Sequence, residues 1–159
     1  TFIAGLSMGG YGALMNGLKY HQTFGYIGAL SAALLLDDFI QAKDGEDVPY
    51  MMKRSYLTSV FGDLTKLKGS DKDYKALIEK MDIQDVPAIY MACGTEDSLL
   101  PQNRDYRDFL KAHHIPVTYE EGPGGHEWDF WDCYIKHVLE WLPINEKNEG
   151  LSSGHIEMD

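Results

Sequence analysis

Apolar positions along the chain follow two rhythms. Short apolar runs at Thr1–Ala4, Tyr26–Ser31, Ala88–Cys93 and Val117–Glu121 have the length and the β-branched and aromatic content of buried strands. Between them the period lengthens to that of a helix. Met8 to about Tyr20 reads as a helix opened by Gly9, Gly10 and Gly12, with Gly5-Leu6-Ser7 as the turn before it. Ser98 to His113 reads as another, carrying Pro101 in its first turn. From Glu127 to about Leu142, the residues Trp128, Trp131, Ile135, Val138 and Leu142 recur at steps of three and four, predicting a helix with one buried stripe that Pro143 ends. Strands separated by helices of this length pair in parallel, because parallel neighbours need long crossovers. The predicted fold class is α/β, with a parallel sheet of about four strands and flanking helices.

The middle of the chain is less regular. Asp37 to Asp47 is acidic and reads as a solvated loop, and Pro49 marks its boundary. Tyr50 to about Val60, rich in Met and Tyr, predicts a helix, and Asp71 to Met81 a second, surface-exposed one. Residues 37–81 together are expected to form a cap-like insertion over the sheet, within one domain spanning residues 1–143. Residues 144–159 are polar and without period, and are expected to be disordered.

Composition narrows the function classes. A chain of 159 residues suffices for one core, and although 44% of it is hydrophobic no apolar run reaches the ~20 residues of a membrane span. A soluble, cytoplasmic chain is expected, with secretion left open. The net charge of −11 and the lack of a basic patch argue against nucleic acid as a partner. Cys93 and Cys133 are far apart in apolar surroundings and are expected to be buried free thiols. The chain opens without a Met inside a strand-like run, so further sequence is expected upstream.

Gly5-Leu6-Ser7-Met8-Gly9 matches G-x-S-x-G between a strand and a helix, where a tight turn exposes the serine hydroxyl. Glycines two places before and after the serine let strand and helix approach closely, and the Met8 amide at the helix start is free to donate to a developing oxyanion. The plainer alternative is a glycine-rich turn with an inert serine. A serine hydroxyl is a weak nucleophile and needs a base oriented by a carboxylate. Asp97, after the third strand in Gly94-Thr95-Glu96-Asp97, is the candidate acid, with helix capping as its alternative role and Glu96 as its rival. His126, after Gly122-Pro123-Gly124-Gly125 and before the last helix, is the candidate base. His113 and His114 sit at a helix end, and position 130 is Phe where a zincin would need a second His, so no metal is implied. Trp128 and Trp131 read as core, although Trp128 lies near enough to His126 to wall an acyl pocket. Tyr50, Met51, Met52 and Tyr56 either line a substrate cleft or simply pack the cap.

Across Gly5–Ala13, Gly94–Asp97 and Pro123–Trp128 the chain resembles the esterase family related to esterase D. Its nearest look-alikes are bacterial tributyrin esterases, and S-formylglutathione hydrolases, feruloyl and acetyl xylan esterases and antigen 85-type mycolyltransferases share the family. The resemblance runs from residue 1 to about 143. It implies the C-terminal half of an α/β-hydrolase with Ser7, Asp97 and His126 as triad, acting without a cofactor on small-molecule carboxylic esters of short acyl chains. It also implies that an upstream half supplies the second oxyanion amide, so little activity is expected of this part alone. An acyltransferase on the same triad, an S-formylglutathione hydrolase, and a non-catalytic fragment or binding module remain the alternatives.

Overall fold

A computed structural model describes residues 1–144, so 15 of the 16 residues of the expected disordered tail, 145–159, lie outside the described residues. Four strands, β1 (Phe2–Leu6), β2 (Tyr26–Leu30), β3 (Ala88–Gly94) and β4 (Val117–Gly122), pair in parallel in the order of the chain. The fold is α/β. With right-handed crossovers, a sequential strand order puts every connection on the same face of the sheet. That face carries α1 (Met8–Lys19), the segment holding α2 (Leu36–Ile40), α3 (Arg54–Phe61) and α4 (Tyr74–Lys80), and then α5 (Leu100–Ala112). The other face is left to α6 (Trp128–Trp141), which packs across β2 and β3.

Alternation along the strands divides the core accordingly. Ile27, Ala29, Ile89 and Met91 point into the cluster with Leu14, Leu57, Ile78 and Leu110 from the crossovers. Leu30, Tyr90 and Ala92 point the other way, against Phe130, Trp131, Tyr134 and Val138 of α6. Residues 36–81 are therefore packed into the sheet's own core, since Leu57, Leu64, Leu67, Tyr74 and Ile78 are all buried there.

Several element bounds differ from expectation, each for a local reason. Pairing of Gly5 with Ala29 and Leu6 with Leu30 carries β1 beyond Ala4, so the turn falls on Ser7 alone. The helix expected over 50–60 splits, with a 3-10 turn at Tyr50–Met52, extended Lys53, and α3 starting where the Asp44 carboxylate accepts the Ser55 N–H at 3.0 Å. A short helix, α2, interrupts the expected acidic loop. The helix expected from Asp71 starts at Tyr74, because Asp73 caps it by accepting from Lys75 N–H at 3.0 Å and Ala76 N–H at 3.2 Å. Nor is it a surface helix, since Tyr74, Ala76 and Ile78 are buried. The buried stripe of α6 is rotated from the expected one. Phe130, Trp131, Tyr134 and Val138 face the sheet, whereas Trp128 is 72% exposed and Ile135 lies at the edge, because α6 sits over β2 and β3 and leaves the β1 side open. Cys93 is buried, but Cys133, on the outer side of α6, is exposed, and both are free.

Helix α5 is tied to the edge strand β4 by a two-pronged ion pair. Arg104 Nε and Nη2 donate to Glu121 Oε1 and Oε2, each at 2.7 Å, and the Tyr119 hydroxyl donates to Oε1 at 2.9 Å. The Arg104 hydrogen bond lowers the Glu121 carboxyl from its ordinary 4.5 to about 2. A carboxyl lowered by folding stabilises the folded state fully above its unfolded value, and that contribution is lost as the pH falls through the folded one. In thermal melts, Glu121→Gln should therefore lower Tm by an amount that is constant at neutral pH and shrinks between about pH 4.5 and 2.

Candidate active site

Ser7 stands at the C-terminal end of β1 with φ 54° and ψ −121°, a left-handed conformation that costs a non-glycine residue about 1–3 kcal/mol. Hydrogen bonds to β2, to the loop after it and to the first turn of α1 hold it there. Its N–H donates to Leu30 O at 2.9 Å, and its carbonyl accepts from Ala33 N–H at 3.0 Å and from Gly10 and Tyr11 N–H at the start of α1. The expected close approach of strand and helix is present, but the glycines share it unevenly. A Cβ on Gly5 would lie 2.2 Å from Gly9 O, and one on Gly10 would lie 3.0 Å from Ala32 Cα, whereas one on Gly9 would meet nothing within 4 Å. Gly5 and Gly10 are thus required for space, and Gly9 contributes its backbone. Met8 opens α1, so its N–H is among the first-turn donors that have no intrahelical acceptor.

Asp97 and His126 come to Ser7 from the loops after β3 and β4. His126 Nε2 lies 2.8 Å from Ser7 Oγ, and its Nδ1 lies 2.8 Å from Asp97 Oδ2. A carboxylate only accepts, so Nδ1 carries the proton and the Nε2 lone pair faces the serine hydroxyl. The Asp97 side chain is fully buried, and its second oxygen, Oδ1, accepts the Leu99 N–H at 2.8 Å. One carboxylate thus closes the turn that leads into α5 with one oxygen and orients the imidazole with the other, and the alternative role as a helix cap is not taken up. The rival carboxylate points elsewhere: Glu96 Oε2 accepts from Thr95 Oγ1 at 2.8 Å and Gly124 N–H at 2.6 Å.

Two residues not singled out for this role complete the surroundings. Trp131 sets its ring edge-on to His126, with centroids 4.9 Å apart, and donates its Nε1–H to Ser31 Oγ at 3.1 Å. Ser31, fully buried at φ 44°, follows β2 directly, beside the turn that binds the Ser7 carbonyl. Its place at the carboxyl end of a parallel strand was the available signal. Below them Cys93 is pushed up to about 12 by burial and then by the nearby Asp97 charge, so it stays a thiol. Among the described residues no group of three or more His, Cys, Asp or Glu is arranged to hold a metal ion.

A hollow of about 230 Å³ opens beside Ser7 on the crossover face, walled by Met8, Met51, Met52, Tyr56, Val60 and Phe61. Of the five residues read as candidates for a cleft or acyl pocket, Met51, Met52 and Tyr56 line this hollow. Tyr50 lies outside, 71% exposed, with its ring 5.0 Å from that of Tyr56. Trp128 lines a separate hollow of about 210 Å³ on the α6 face, together with Ala4, Leu6, Leu30 and Ile135.

Residues 1–141 match the model of the esterase family described as "Putative esterase". The chain belongs to this esterase family. It is 50% identical over 144 residues to an acetyl esterase of Caldicellulosiruptor saccharolyticus, covering 89% of this chain and 54% of that protein. An S-formylglutathione hydrolase (FrmB) of Staphylococcus aureus superposes with a TM-score of 0.72 at 30% identity over 88% of this chain and 53% of its own. The fluorophosphonate-binding serine hydrolase F (FphF) of the same species gives 0.71 at 31% identity over 88% and 52%. The chain thus spans about half the length of the relatives it matches. The fold they share is that of α/β-hydrolase esterases.

The uneven roles of the two motif glycines are directly testable. Gly5→Ala should destabilise the protein by about 1–3 kcal/mol in denaturant titrations, because the new methyl meets backbone that must move. Gly9→Ala, whose methyl meets open space on a helix, should be neutral or stabilising.

Proposed function

We propose that this chain carries the catalytic machinery of a serine carboxylesterase, with Ser7 as nucleophile, His126 as general base and Asp97 as the acid that orients it. The observation that carries this reading is the unbroken relay from Ser7 Oγ through His126 to Asp97, with 2.8 Å at each contact. In this mechanism Ser7 Oγ attacks the ester carbonyl while His126 Nε2 takes its proton. The Met8 N–H stabilises the oxyanion, and the protonated imidazole then passes its proton to the leaving alcohol. Water, deprotonated by the same imidazole, attacks the acyl-enzyme and frees Ser7. Asp97 holds Nδ1–H throughout and stabilises the imidazolium that forms. No step calls for a cofactor.

For the substrate, we propose a small neutral ester whose short acyl chain enters the hollow beside Ser7. Its lining of Met, Tyr, Val, Phe and Leu side chains offers no charge to an acyl group, and 230 Å³ accommodates a chain of a few carbons. The family assignment and the C. saccharolyticus acetyl esterase support the ester chemistry.

Hydrolysis of p-nitrophenyl butyrate by the chain joined to the upstream half that the family resemblance implies tests the reading. Ser7→Ala and His126→Ala should each lower kcat by about 10⁶-fold and Asp97→Asn by about 10⁴-fold, without loss of folded structure. Substantial hydrolysis by Ser7→Ala would refute it. Narrowing the hollow with Val60→Trp should favour acetate over butyrate by about tenfold or more in kcat/KM, since each methylene in an apolar pocket is worth about 1–3 kcal/mol.

A further inference from the structure

The base of the proposed triad hangs on a loop with little stiffness of its own. Pro123-Gly124-Gly125 precedes His126, and Gly124 lies at φ 123°, a region in which side chains are strained. What holds this loop is the neighbouring loop after β3. Thr95 N–H donates to Gly122 O at 2.8 Å and Glu96 N–H to Gly124 O at 3.1 Å. The Glu96 carboxylate then closes the ring, accepting Gly124 N–H at 2.6 Å and the Thr95 hydroxyl at 2.8 Å through the same oxygen. The two backbones touch so closely that a Cβ on Gly94 would lie 2.0 Å from Gly124 O.

We propose that Glu96 is a positioning residue for His126, whose carboxylate clamps the Gly124 amide so that the glycine loop presents the imidazole to Ser7. The proposal rests on the catalytic reading of the triad given above. Neighbouring carboxylates thereby hold the base from two sides. Asp97, turned inward and buried, grips the ring at Nδ1, while Glu96, turned outward, grips the main chain two residues before it. Distance and type of bond favour a real constraint: the contact is short, its acceptor is charged, and its donor is a main-chain N–H that cannot rotate away. The Thr95 hydroxyl and the Gly124 amide also hold the Glu96 carboxyl below its ordinary range, keeping the acceptor ionised at neutral pH. A backbone loosened at Gly124 passes its displacement to an imidazole that must meet Ser7 at hydrogen-bond distance, and misplacements of about 1 Å cost up to about a hundredfold in rate. Because Glu96 is exposed, truncating it opens no cavity, and the variant is expected to fold.

The test compares Glu96→Ala and Glu96→Gln in ester hydrolysis and in amide hydrogen exchange at Gly124, with Ser7→Ala as control. Glu96→Ala should lower kcat about tenfold at unchanged KM and speed exchange at Gly124, and Glu96→Gln, which keeps a carbonyl acceptor, should restore most of both. Wild-type kcat and exchange in Glu96→Ala, or a loss that Gln leaves unrepaired, would overturn the clamp. If instead Ser7→Ala hydrolyses esters like the wild type, the catalytic reading fails, and Gly124 exchange in Glu96→Ala still decides whether the clamp exists.

Discussion

The arrangement depends on a contact between two stretches of main chain at the end of β1. For the chain to leave a strand, expose one side chain and enter a helix within a single residue, α1 must begin against the strand it has just left. Gly5 makes room for the Gly9 carbonyl, and Ser7 takes a left-handed conformation that its own N–H and carbonyl offset by binding Leu30, Ala33 and the first turn of α1. A turn held at so many points fixes the direction in which the serine side chain leaves the main chain. The serine is presented at the sheet's carboxyl edge with a free helix amide beside it, and the remaining task is to bring the His126 ring to it.

That task falls to the sheet. Parallel pairing in chain order puts the ends of β1, β2, β3 and β4 on one edge, so Ser7, Ser31, Asp97 and His126 are neighbours although up to 119 positions separate them. The crossovers occupy one face and supply the apolar hollow at Ser7, and α6 lies on the other over β2 and β3, bringing Trp131 against His126. The hollow at Ser7 and the contact of Trp131 with His126 thus arise from the same topological rule that places the connections on one side.

Much of this was legible in the sequence because the signals are local. Four apolar runs and the helical periods between them were enough for an α/β chain, and G-x-S-x-G between a strand and a helix pointed to Ser7. Asp97 was preferred to its rival Glu96 only on its shorter reach, because adjacent side chains on a loop differ in which way they turn, and the chain itself does not show that Glu96 is engaged with Gly124. Helix starts were displaced wherever a distant or preceding carboxylate set the cap, as Asp44 does for α3 and Asp73 for α4. The stripe on α6 was misjudged at Trp128 and Ile135 because periodicity gives the spacing of an apolar face but not how much of it the neighbouring sheet covers. Trp131 passed as ordinary core since nothing in its spacing reveals that its indole meets His126 and Ser31.

The central claim is that the serine held in the strained turn is the atom that attacks. Peptide mapping by mass spectrometry after brief treatment with a fluorophosphonate addresses it without any assumption about the ester. The account predicts a single stoichiometric adduct on the peptide bearing Ser7, and none after His126→Ala. An adduct on a different residue, or ester hydrolysis fully inhibited while Ser7 stays unmodified, would contradict it.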